Sequence, residues 1–436
     1  MGLKLKIINA GDRRAIDRLL TPARRDDRAF DRRVQAIVDA VRTGGDRALL
    51  RFARKFDRLG APVEVSAEEI RDGAARIDPP VRRAIAQAAR NIALVAARQI
   101  PKHFDVDVVP GVTIEQRVEP LARVGCYVPG GRFPLPSSLL MTAVPARVAG
   151  VREVFVCCPR PEPAVMAAAV EAGITRLFRI GGAHAIAALA YGTESVPRVD
   201  KVVGPGNRYV AAAKALVASD CGIDFYAGPT EILIVASGGD PGWLAADLIA
   251  QAEHDPDARA VLLTPRRELA DRVARAVEEQ LPVDGPARES LATHGGIIVT
   301  ASVREAMELA NDAAPEHLVV DDERLAKQVK SAGSVFVGAW SAQVAGDYAI
   351  GSNHVLPTAG AARVRGGLSA GDFVRQITVQ RLTSKGLKGI APSVVALARA
   401  EGLEGHARSI EIRFSDRKGS RVRGAGSAKR TRFRNS

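Results

Sequence analysis

The stretch V-R-E-V-F-V-C-C (residues 151–158) is a short β-branched apolar run that leads into an alanine-rich helical pattern near 162–172. The same alternation recurs at once. Residues 176–180 (R-L-F-R-I) precede a helical pattern from about 183 to 191, and residues 199–203 (V-D-K-V-V) precede one from about 207 to 219. Strands separated by helices of this length predict parallel strands joined by helical crossovers, hence an α/β fold. The pattern resumes with E-I-L-I-V-A (residues 231–236), a helix near 241–254, a strand at 260–264, a helix near 267–280 and strands around 296–300 and 334–337. Two α/β units in tandem are the simplest arrangement. The ends differ: residues from about 13 to 100 read as helical apart from a strand-like run near 62–66. Beyond Gly371, a helical pattern at 390–400 leads to S-I-E-I-R-F (residues 409–414), read as a short alternating strand.

A chain of 436 residues exceeds one ordinary core, and 47% hydrophobic with 25% charged residues is the composition of a soluble globular protein. No apolar run approaches the roughly 18 residues that span a bilayer, so no membrane partner is expected. The start M-G-L-K-L-K lacks the apolar core and cleavage site of a signal peptide, and a cytoplasmic location is the expectation. Cysteines 126, 157, 158 and 221 have neither metal-site spacing nor the density of a disulfide scaffold. Cys126 alone sits beside a glycine-rich turn, where a nucleophile could act. The net charge of +13 is concentrated at one end: residues 417–436 hold eight Lys/Arg and no Asp/Glu, leaving +5 for residues 1–416. A solvated, disordered tail explains that excess better than a nucleic-acid partner does.

The chemistry-bearing residues are few. Over half of the seven histidines fall in unusual settings: Gln251 and His254 in L-I-A-Q-A-E-H-D, Glu316 and His317 in A-P-E-H-L, His354 in G-S-N-H-V-L-P-T, and Glu401 and His406 in E-G-L-E-G-H-A-R. Gln251 and His254 are three residues apart on a helical pattern, so both can face one ion. Asp347, in A-G-D-Y, adds a carboxylate on what reads as a glycine-flanked loop. Nitrogen and oxygen donors without thiolate suit a divalent ion such as zinc. Glu316 and His317 would point to opposite faces of an extended segment, so an irregular loop is needed for both to reach one substrate. Glycine turns at Tyr127–Gly131, Gly181–His184 and Gly204–Asn207 follow consecutive strands and mark one sheet edge as a nucleotide crevice.

The strings G-P-G-N-R-Y-V, I-D-F-Y-A-G-P-T-E, L-I-A-Q-A-E-H-D, A-P-E-H-L, A-G-D-Y-A-I-G-S-N-H-V-L-P-T and A-E-G-L-E-G-H-A resemble histidinol dehydrogenase in order and spacing, across roughly residues 5–414. The resemblance implies oxidation of L-histidinol to L-histidine through a bound aldehyde, with two NAD⁺ consumed in succession and one zinc per subunit. It implies zinc ligands Gln251, His254, Asp347 and His406, and the acid/base pair Glu316 and His317. It also implies substrate contacts from Thr230, His354 and Glu401 beside those ligands and His317, and NAD contacts from Tyr127, His184 and Asn207. The implied fold has two tandem incomplete Rossmann-like domains (24–126 with 234–370, and 127–233), an N-terminal helical segment (1–23), a small C-terminal domain (371–414) and the basic tail (415–436). A homodimer with shared active sites is implied too. Two positions depart from the family pattern, His184 for a usual Gln and Thr230 for a usual Ser. A related dehydrogenase of another small alcohol, such as a sulfonated diol, is the alternative, against which Glu401 argues by repelling an anion.

Overall fold

A computed structural model describes residues 4–21, 27–130, 134–174, 176–226 and 228–415. The tail expected from 415 onward lies outside them except for Ser415, as does Gly131 of the first glycine turn. The chain divides into two compact units, Met1–Pro101 with Glu119–Arg375, and Lys102–Val118 with Gln376–Ser436.

The first unit holds two six-stranded sheets. One consists of β1 (Ile7–Asn9), β10 (Glu231–Val235), β11 (Arg259–Thr264), β12 (Gly295–Val299), β13 (His317–Val320) and β14 (Ser334–Val337), in the order β1-β12-β11-β10-β13-β14 and parallel throughout. The other consists of β2 (Glu64–Val65), β5 (Arg123–Tyr127), β6 (Glu153–Cys157), β7 (Leu177–Phe178), β8 (Lys201–Val203) and β9 (Gly222–Ile223). Its order is β2-β7-β6-β5-β8-β9, parallel except where β2 meets β7. Leaving out the added edge strands β1 and β2, each sheet follows the doubly wound order 3-2-1-4-5, which reverses between its first and fourth strands. The sheets divide the sequence differently from the expected 24–126 with 234–370: β2 and β5 pair with β6–β9, and β1 pairs with β12.

The continuous apolar runs follow from this. In β10 and β11, Ile232, Ile234, Ala260 and Leu262 face one helical layer, while Leu233, Val235, Val261 and Leu263 face the other. Strands covered on both faces need no polar alternation. Cys126 packs on one face of the second sheet and Cys157 on the other. Burial pushes the Cys126 thiol up to about 12, which disfavours the thiolate a nucleophile needs.

The second unit carries a three-stranded sheet in the order β15-β4-β3, made of β3 (Phe104–Val109), β4 (Val112–Pro120) and β15 (Val374–Leu382), in which β3 and β4 form an antiparallel hairpin. It also holds the helices Ser384–Ala400 and Glu404–Glu411. The strand expected at 409–414 is not there. Glu404 and Glu411 are seven residues apart, two helical turns on one face, and Arg399 reaches both at 3.1 and 2.9 Å. That clamp and the burial of Ala407 favour the helix over an unpartnered strand.

Candidate active site

Seven of the nine residues expected at the metal and substrate site lie in the first unit, around the N-terminal ends of β10 and β13. The helix Pro241–Ala252 starts with Pro241 after the cap Asp240, whose side chain accepts from the backbone N–H of Gly242 and Trp243. Its last turn carries Gln251, fully buried, and His254 follows just beyond the end, with Nδ1 3.3 Å from the Gln251 carbonyl. The helix Val303–Ala313 stops at Ala314, held at φ +48°, before Pro315. Proline cannot supply the next N–H, so the chain leaves the helix and enters β13 at His317.

This stop supplies the irregularity that the E-H dipeptide needs. Glu316 Oε2 accepts from the Glu231 N–H at 2.9 Å and from Thr230 Oγ1 at 2.5 Å. His317 Nδ1 donates to the carbonyl of the same Glu231 at 3.2 Å. Both side chains therefore grip one residue at the start of β10, and His317 Nδ1 lies 3.8 Å from Glu316 Oε2. With Nδ1 committed as donor, Nε2 is left with its lone pair, 4.0 Å from Asp347 Oδ1. Burial pulls the His317 imidazole down to about 4, against the attraction of Asp347, so the ring is neutral at physiological pH. Burial pushes Glu316 up to about 8, opposed by its hydrogen bonds from Thr230 and Glu231.

Asp347 departs from expectation. It lies in a short helix, Gln343–Tyr348, rather than on a loop. A Cβ on Gly346 would come within 2.8 Å of the Phe336 ring, so glycine lets this helix pack directly onto β14. Asp347 Oδ2 is 3.9 Å from His254 Nε2, and the Asp347 carbonyl accepts from His354 Nδ1 at 2.9 Å. The loop carrying His354 crosses to the other sheet: His354 Nε2 is 3.5 Å from Ser138 Oγ, and Asn353 donates to the Met141 carbonyl at 2.7 Å. Both partners lie on the helix Pro136–Val148, which follows β5. Glu401 and His406 belong to the second unit, where both are exposed.

Thr230 connects the set. Gln251 Nε2 donates to its hydroxyl at 2.6 Å, and that hydroxyl donates to Glu316. The amide is thereby oriented, and Gln251 Oε1 is left buried without a hydrogen-bond partner among the described residues. An orphaned buried acceptor is costly unless something binds it. The described residues contain no cluster of three or more His, Cys, Asp or Glu able to hold a metal. In the first unit the donors are an amide oxygen, one imidazole and one carboxylate, a set that fits a divalent cation seeking a further nitrogen ligand.

The three expected cofactor residues gather at the C-terminal edge of the second sheet, each with a partner inside the chain. Tyr127 Oη accepts from Gly182 N–H at 3.1 Å, and Asn207 caps the helix Arg208–Val217. His184 Nε2 meets Asp57 Oδ2 at 2.8 Å, and the same oxygen accepts from Gly181 N–H at 2.9 Å. Gly204, at φ +118°, lies so close to the Tyr127 carbonyl that a Cβ there would sit 2.2 Å from it. The β5 and β8 ends therefore need glycine to meet at the switch point. A cavity of about 670 Å³ lies at the opposite edge of this sheet, lined by Arg123, Arg152, Arg198 and Asp200 among others, away from these residues.

Sequence reasoning missed Glu231, whose backbone serves both Glu316 and His317 and whose carboxylate accepts from Ala359 N–H at 3.0 Å and from Arg259 at 2.9 Å. Its place directly after Thr230 in A-G-P-T-E was the available signal. Gln343 was missed too, though it stands four residues before Asp347 on a helix.

Residues 21–414 match the histidinol dehydrogenase family model. The chain belongs to the histidinol dehydrogenase family. A histidinol dehydrogenase of Methanothermobacter thermautotrophicus is 44% identical over 420 residues, covering 93% of this chain and 98% of the relative. One from Haloarcula marismortui is 48% identical over 398 residues, covering 87% and 93%. The crystal structure of histidinol dehydrogenase from Elizabethkingia anophelis superposes with a TM-score of 0.88 at 33% identity, covering 94% of this chain and 98% of that one. The fold is thus that of the family, and the protein is an oxidoreductase of histidine biosynthesis.

Proposed function

We propose that the protein is a cytoplasmic, zinc- and NAD-dependent homodimer that oxidises L-histidinol to L-histidine in two steps through bound L-histidinal. The observation that carries this is the buried chain from Gln251 through Thr230 to Glu316, set beside His317, whose Nδ1 is committed to the Glu231 carbonyl. Gln251, His254 and Asp347 would hold zinc with His406, and the metal would supply a Lewis acid that anchors the substrate's amine and imidazole. Glu401 and His406 are assigned to the partner subunit's site.

NAD⁺ would supply the hydride acceptor of the first oxidation, while the alcohol's hydroxyl proton passes to a base of this chain. His317 suits that task because Nε2 carries a free lone pair, and Asp347 beside it stabilises the imidazolium that forms. In the second, water adds to the aldehyde, a second NAD⁺ would accept the hydride of the resulting hydrate, and a base takes its proton. Glu316 suits the activation of that water: its carboxylate is desolvated, and its raised pKa lies near the working pH. Thr230 and His354 would orient the substrate. The β5, β7 and β8 ends, with Tyr127, His184 and Asn207, would face NAD. The family match names histidinol, and nothing favours a sulfonated diol. The test is NADH formation by the purified protein with L-histidinol, before and after zinc removal by a chelator. Activity that is lost on removal and returns with zinc supports the reading; undiminished activity in fully metal-free protein contradicts it.

A further inference from the structure

Five buried side-chain nitrogen or oxygen atoms lack a hydrogen-bond partner among the described residues, and two of them are amide oxygens, on Gln251 and Gln343. Gln343 is fully buried at the start of the helix that carries Asp347, four residues away and therefore on the same face. Its Nε2 donates to Asp347 Oδ2 at 2.9 Å, while its Oε1 is left without a partner. The opposite amide orientation would press Oε1 against a carboxylate oxygen. The protein thus tolerates an unsatisfied buried acceptor to keep a donor on Asp347.

The consequence concerns the carboxylate rather than the helix. Gly346 packed on Phe336 fixes where the helix lies, and the hydrogen bond from His354 Nδ1 holds the Asp347 backbone. Neither sets the rotation of the carboxylate, which stands between His254 Nε2 at 3.9 Å and His317 Nε2 at 4.0 Å. The bond from Gln343 is what holds Oδ2. We propose that Gln343 is a positioning residue that orients the Asp347 carboxylate for cation binding and thereby sets metal affinity. This rests on the zinc reading above. Groups that hold a ligating carboxylate or imidazole from behind typically contribute about 10–100-fold to metal affinity.

The test uses the full chain and two variants, Gln343→Met, which keeps the length of the side chain, and Gln343→Leu, which shortens it; both remove the donor to Asp347 and the orphaned acceptor together. The zinc dissociation constant is measured by competition with a chromophoric chelator. The visible spectrum of cobalt-substituted protein and the thermal midpoint of metal-free protein are recorded beside it. The expected result is zinc affinity about 10–100-fold weaker in both variants, an altered cobalt spectrum, and a metal-free midpoint equal to or above that of the unmodified chain. Affinity within about threefold of the unmodified chain and an unchanged cobalt spectrum would overturn the proposal. So would a metal-free midpoint that falls with the affinity, because the role would then be structural. If the unmodified chain binds no zinc, the zinc reading fails and this inference falls with it. If the unmodified chain binds zinc and the variants match it, only the inference falls.

Discussion

Glu316 and His317 hold opposite ends of one residue: the carboxylate accepts the Glu231 N–H at 2.9 Å, and the imidazole donates to the Glu231 carbonyl at 3.2 Å. Two neighbours in sequence, which an extended strand would send to opposite faces, are thereby brought to one place. The stop at Ala314–Pro315 makes this possible.

The proposed division of labour predicts that Glu316→Gln keeps most of the alcohol-to-aldehyde step and loses the aldehyde-to-acid step by about 10²–10⁴-fold. Histidinol and histidinal supplied separately, with zinc content measured alongside, give the comparison. Equal losses in both steps with metal retained would show that the pair acts as a unit.

Thr230 has two hydrogen-bonding duties, so its hydroxyl rather than its size is what matters. Thr230→Ser should retain turnover within about threefold, whereas Thr230→Val should lower kcat by about tenfold, on the order of 1.5 kcal/mol for a lost buried hydrogen bond. Steady-state rates at saturating substrate decide it. A fully active Val variant would remove Thr230 from the account.

Much of this was legible beforehand. The helix and strand runs from 151 to 337 emerged from periodicity because sheets covered on both faces leave uninterrupted apolar strands. The antiparallel β3–β4 hairpin was not foreseen, although F-D-V-D-V-V-P-G-V-T-I-E carries period-2 alternation around Pro110–Gly111, and Gly111 takes φ +83°. At 409–414 the reverse happened: a short alternation outweighed a charge pair at helical spacing. Within the site, the motifs picked out Gln251, His254, Glu316, His317 and Asp347, but not the anchoring of Glu316 and His317 through the Glu231 backbone. No side-chain pattern encodes which peptide group a carboxylate will grip.

Asp247 gives a stability prediction. Burial, with no partner among the described residues to oppose it, raises its carboxyl from 3.8 to about 6. A raised carboxylate favours folding when protonated, so its contribution is full below about pH 3.8 and lost as pH rises through about 6. Asp247→Asn should therefore stabilise the protein above pH 6, by about 1 kcal/mol after allowance for its partial exposure, and have little effect at pH 4. Urea midpoints at the two pH values measure this, and equal effects at both would contradict it.

The proposed shared-site dimer predicts complementation. His406→Ala and His317→Ala proteins, each inactive, should regain activity when their subunits are exchanged, because one mixed site inherits no lesion. Confirmed heterodimers without recovery would place His406 in its own chain's site or outside any site.

The central claim is a double oxidation on one protein, and product stoichiometry tests it most directly. Limiting L-histidinol is converted to completion by zinc-loaded protein with excess NAD⁺, and NADH and histidine are quantified together. The account predicts two NADH and one L-histidine for each L-histidinol consumed, with no free aldehyde trapped by a carbonyl reagent. One NADH per histidinol with histidinal accumulating would contradict it.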